Sequence, residues 1–144
     1  MTFYAFKGFD KDLKCRGFQY EIGKTYRIPE KPEVCVKGFH CCTKLSDVFC
    51  YYPPWMFLKP DDTVLRKSDN RFCVVEVLGA VSVNPDADNS KLATNKIVIV
   101  RELYLPEMIR EIKHESETIR IKGIYLQKLE DMVRNLWRCN KEDL

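Results

Sequence analysis

No uninterrupted apolar run in the 144 residues comes near the roughly 18 that a bilayer-spanning helix needs. Histidine occurs only at His40 and His114, and no Cys-x2-Cys pair occurs anywhere, so the usual spacing for a zinc site is missing. Internal repeats and low-complexity tracts are also missing, which excludes a solenoid and a long disordered linker. The opening Met1–Lys7 has no basic stretch followed by an apolar core, so no signal peptide is expected and the cytoplasm is the expected compartment. Seven cysteines without regular spacing do not form a secreted disulfide framework. Reduced thiols, mostly buried as small hydrophobes, are expected instead, with no metal and no cofactor.

What remains is ordinary for a folded chain: 45% hydrophobic and 31% charged residues. One domain is expected over 1–144, with a β-rich body at 1–105 and helices over 106–144. The net charge of +3 is unevenly placed. Residues 1–60 hold 10 basic against 6 acidic side chains, whereas 101–144 hold 9 of each. An anionic partner for the N-terminal part is implied, but not a broad nucleic-acid coat.

That N-terminal part repeats one triplet, basic–Gly–Phe, as Lys7-Gly8-Phe9, Arg16-Gly17-Phe18 and Lys37-Gly38-Phe39. The last runs directly into His40-Cys41-Cys42. Cation, open amide and aromatic face are the parts of an anion or nucleotide site. The same triplet also suits a bulge or turn whose Phe enters a core. Both readings stay open for Lys7, Gly8, Arg16, Gly17, Lys37, Gly38 and His40 as ligand- or partner-binding residues. The cluster Cys35, His40, Cys41, Cys42 and Cys50 lacks metal spacing, and a His40–Cys42 nucleophile pair lacks an orienting residue.

Period-2 alternation predicts strands over 3–9, twice within 17–28, and over 34–42. A short helix after Thr43, capped by Thr43 or Ser46, should end before Pro53-Pro54. Residues 55–70 read as a loop, and the strongest β signal covers 71–83. The polar run 84–94 then links it to a strand at 95–101, as an antiparallel pair with a long loop. Pro106 opens a helix carrying Met108, Ile109 and Ile112, residues 119–121 suit a strand or a helical turn, and 124–138 form an amphipathic helix containing Trp137. The expected class is α+β: an antiparallel β-rich body with a short helix and a helical C-terminal end. The apolar stripe of the C-terminal helix suits core packing or a homo-oligomer interface. Glu76, the acid inside the 72–83 strand, falls on a face with Val74 and Leu78.

The run Tyr4–Tyr26, with Lys37–Cys42, Asp47–Tyr52 and Thr94–Ile99, resembles an uncharacterised domain family common in bacteriophages and prophages, over residues 4–103. That resemblance implies a viral origin; with a basic, Gly-rich N-terminal part and no catalytic set, the expectation is a small non-catalytic binding protein acting in a host cell's cytoplasm, in counter-defence. It would bind a nucleotide-like ligand or cover a site on a host protein. A weaker resemblance is to ADP-ribosyltransferases. It implies Lys7-Gly8 on a first strand, Phe39-His40-Cys41 on a second and Glu76 as the catalytic acid of an enzyme modifying a host target.

Overall fold

The computed structural model describes residues 2–56, 66–116 and 127–131. The elements follow in the order β1 (Phe3–Phe9), β2 (Lys14–Cys15), β3 (Phe18–Gln19), β4 (Thr25–Arg27), β5 (Phe39–Cys42), α1 (Leu45–Val48), β6 (Trp55–Met56) and β7 (Arg66–Lys67). Next come β8 (Arg71–Val77), β9 (Val81–Val83), β10 (Lys91–Thr94), β11 (Lys96–Leu103) and α2 (Leu105–Ser116). Residues 127–131 are also helical. The fold is α+β, as the sequence predicts. No helix of the described residues is long and apolar enough to cross a membrane.

Seven strands form one antiparallel sheet in the order β4-β11-β8-β1-β5-β10-β9. Alternation gives β1 two apolar faces, and both are covered. Ala5 and Phe9 join Val75, Val77, Ile97 and Ile99 beneath the segment 10–38, which contributes Leu13 and Tyr20. On the opposite face Phe6, Phe72 and Leu103 pack against Leu45, Val48 and Phe49, and against Leu105, Met108 and Ile112 of α2. The α2 residues recur at i, i+3 and i+7 along one helix face. Burying each such side chain stabilises the fold by roughly 1.5–3 kcal/mol. Leu129 belongs to this second core.

Several expectations need correction. The run 71–83 is two strands, interrupted at Leu78–Ala80, where the Leu78 and Gly79 amides both donate to the Lys96 carbonyl, the Ala80 amide donates to the Asn95 Oδ1, and a Cβ at Gly79 would lie 2.0 Å from that oxygen. The polar run 84–94 is not simply a loop, since its end forms β10, a strand between β5 and β9. β8 and β11 do pair antiparallel, but β9 and β10 lie in the chain between them. The two strands within 17–28 belong to different sheets, β3 pairing with β2 and β4 with β11. Residues 55–70 include a two-stranded ribbon, Trp55↔Lys67 and Met56↔Arg66. Neither Thr43 nor Ser46 caps α1. Lys44 stands at its N-cap without a side-chain hydrogen bond, and Ser46 is buried inside the helix. The predicted element at 119–121, Trp137 and most of the helix at 124–138 lie outside the described residues.

One irregularity of the sheet positions the site. β1 pairs with β8 along its whole length, from Phe3↔Val77 to Phe9↔Arg71. Among the described residues it meets β5 at a single position, Phe6↔Cys42. Beyond that pair the two strands part, and a cleft opens where the ladder would have continued.

Candidate functional site

The cleft begins with Lys7. Its position in β1 aims the side chain toward the Phe9 and Tyr20 layer, and only 3% of the residue is exposed. The ammonium donates a hydrogen bond to the backbone carbonyl of His40, bridging β1 and β5. It lies 3.7 Å from the Cys15 Sγ, 5.2 Å from the Tyr20 ring centroid and 5.8 Å from that of Phe9. None of the salt bridges among the described residues includes it. This buried ammonium rests on a carbonyl and two π faces, and among the described residues no negative charge offsets its lost hydration.

A cavity of about 470 Å³ opens beside it, with Arg16, His40, Lys91, Tyr51 and Tyr52 among its walls. A second cavity of about 320 Å³ shares Lys7, Cys15, Arg16 and His40 with the first and adds Phe18, Tyr20, Val36, Gly38 and Phe39. No Asp or Glu of the described residues lines either one. Among the described residues Arg16 and Lys91 are also without salt bridges. Three cations therefore face a concave site to which the described residues bring no carboxylate, which favours an anion.

Local chain geometry explains each placement. Arg16 (φ 52°) and Gly17 (φ 80°) form the two-residue turn between β2 and β3, both left-handed as a type I′ turn requires. Gly17 supplies that backbone freedom and lines neither cavity, whereas Arg16 lines both. Lys91 enters from β10, its ammonium 4.7 Å from the Tyr51 ring centroid and 3.4 Å from the Cys35 Sγ. Tyr52 donates its hydroxyl to the Cys15 Sγ at 3.3 Å, and burial, then that bond, pushes its phenol pKa up. Gly8 is buried for packing, because a Cβ there would lie 2.7–2.9 Å from Tyr52 side-chain carbons. Gly38 (φ 116°) is needed where the Thr94 carbonyl oxygen approaches to 2.9 Å of the Cβ position.

The predicted set is thus partly assembled. Lys7, Gly8, Arg16 and His40 meet at the first cavity, and Gly38 joins Lys7, Arg16 and His40 at the second. Gly17 lines neither, nor does Lys37, which is exposed in the turn closed by the Glu33–Lys37 bridge. Sequence reasoning missed Lys91, hidden in a run read as a polar loop, and the Tyr51-Tyr52 pair following α1. Glu76 pairs with Tyr4 and Val98 on the face shared with Val74, opposite Lys7, and lines neither cavity.

His40 is neutral here. Burial first, then the charges of Lys7, Lys91 and Arg16, lower its pKa from the ordinary 6.5 to about 4, against the opposing Gly38 backbone bond. Its Nε2 accepts the Cys35 N–H at 2.8 Å, which places the ring proton on Nδ1. Between pH 4 and 6.5 the unfolded chain binds a proton at this residue that the folded chain does not. The stabilisation is complete above about pH 6.5 and is lost as pH falls toward 4. We expect the thermal midpoint to fall across that window, and the His40→Gln variant to show a flatter profile; parallel profiles would exclude His40 as the cause.

The thiols divide by exposure. Burial pushes Cys41, Cys42 and Cys73 up to about 12, so they stay protonated. Cys35 and Cys50 are exposed, contrary to the expectation of buried thiols, and Cys15 is half-buried. Cys139 lies outside the described residues. No group of three or more potential metal ligands occurs among the described residues.

A family model described as a domain of unknown function (DUF7666) matches residues 3–111. The chain belongs to this family. No curated protein and no solved structure matches it. The DUF7666 match includes all the strands of the sheet and all the named walls of both cavities.

Proposed function

We propose that this domain is a non-catalytic binding module that takes a small anionic, nucleotide-like ligand in the cleft between β1 and β5. The observation that carries the reading is Lys7, buried in the cleft without a carboxylate partner among the described residues. A phosphate entering the cavity would supply the missing counter-charge and accept charge-assisted bonds from Lys7, Arg16 and Lys91. The concave site suits a small molecule better than the surface of a host protein. In the phage setting implied by the sequence resemblance, the module would sequester a nucleotide signal in the host cytoplasm as a counter-defence.

Calorimetric titration with nucleoside 5′-monophosphates tests this. Binding should weaken in Arg16→Ala and Lys91→Ala, and also with added salt, since Arg16 is exposed and Lys91 partly so. Absence of binding by any phosphorylated probe would overturn the proposal. The transferase alternative makes an opposite prediction. It requires NAD-dependent labelling of host proteins that Glu76→Gln abolishes. We expect no labelling with either protein, because the Glu76 carboxylate faces away from the Lys7 cleft.

A further inference from the structure

The two cavities meet at Lys7, Cys15, Arg16 and His40, yet they offer different surfaces beyond that junction. In the larger one the aromatic faces are already used: the Lys91 ammonium lies over Tyr51, and the Tyr52 ring lies against Gly8. What it offers a ligand is charge, from Lys7, Arg16 and Lys91. In the smaller cavity Lys91 is absent from the lining, and the walls are Phe18, Tyr20, Ile28, Val36 and Phe39. Phe18 is 47% exposed although its ring packs on Tyr20, Tyr26 and Phe39. It is therefore partly open to solvent at the end of an aromatic cluster.

Resting on the reading of the cleft as an anion site, we infer that the ligand is a nucleoside monophosphate seated across both cavities, its phosphate in the larger and its base against Phe18 in the smaller. Lys7 stands at the junction, where it reaches the phosphate from one side and borders the base-binding cavity on the other. Base-on-aromatic stacking tolerates any base, because each has a π face. The base should therefore add affinity without strict identity, and Phe18, rather than the cations, should control that increment.

The test compares adenosine 5′-monophosphate with ribose 5-phosphate, which carries the same charged group and no base. The wild-type domain should bind the nucleotide about tenfold or more tightly than the sugar phosphate. Phe18→Ala should remove the difference while leaving ribose 5-phosphate affinity unchanged, and Phe18→Trp should restore it. Equal binding of the two probes by the wild type overturns the two-cavity seating but leaves the anion site standing. Loss of both probes together in Phe18→Ala also overturns it, since Phe18 would then support the whole site. Failure of both probes to bind the wild type overturns the anion site itself.

Discussion

Replacing Lys7 with methionine is expected to reduce affinity for a phosphorylated ligand roughly ten- to hundredfold while the domain stays folded. A charge-assisted hydrogen bond contributes about 1.5–3 kcal/mol, and Lys7 is the cation that lies inside the cleft rather than at its rim. Stability responds to two opposing effects. Methionine preserves the apolar stem and removes an ammonium whose burial is unfavourable. It also leaves the His40 carbonyl without its donor, which costs about 1–3 kcal/mol. Because the two effects oppose each other, the net change in stability should be within about 1.5 kcal/mol, no larger than the loss of binding. Titration calorimetry beside chemical denaturation separates the two. Unchanged affinity in a folded Lys7→Met variant would remove the cleft as the ligand site.

The Phe9→Ala substitution should destabilise the domain by about 3–5 kcal/mol. Phe9 is 0% exposed, and its ring meets Tyr20 edge-on at 5.3 Å within the core under segment 10–38. Truncation leaves a cavity between β1 and that segment, next to Lys7, with little room for collapse because the sheet behind it is paired on the β8 side. Phe18→Ala should cost much less, because nearly half of that residue is already exposed. Denaturant midpoints for the two variants measure the contrast. Similar losses for Phe9 and Phe18 would mean that the three basic–Gly–Phe triplets play one structural role rather than three.

The three triplets look alike in the sequence and separate only in the fold. Gly8 is required by the Tyr52 ring, 44 residues away, Gly17 by its own left-handed turn, and Gly38 by the Thr94 carbonyl. Only the second of these is a local property, readable from Arg16-Gly17 between two short strands. The same division holds for charge. A lysine in an apolar strand ordinarily marks the solvent face, and nothing near Lys7 announces that the His40 carbonyl will come within reach. Lys91 gave no signal either, because its place in the sheet depends on pairing with β5, whereas its neighbours before Ser90 are polar.

By itself the sequence determined the α+β class, the core strands β1, β8 and β11, the amphipathic face of α2 and the basic excess of the N-terminal part. These follow from side-chain periodicity and composition, which act over a few residues and need no knowledge of distant contacts. Only the tertiary structure decided the break at Gly79, the insertion of β10 beside β5, the single Phe6↔Cys42 pair between β1 and β5, and the burial of Lys7 in the resulting gap. Each depends on which strand lies next to which, and that choice is made by packing two hydrophobic layers onto one sheet rather than by any local preference.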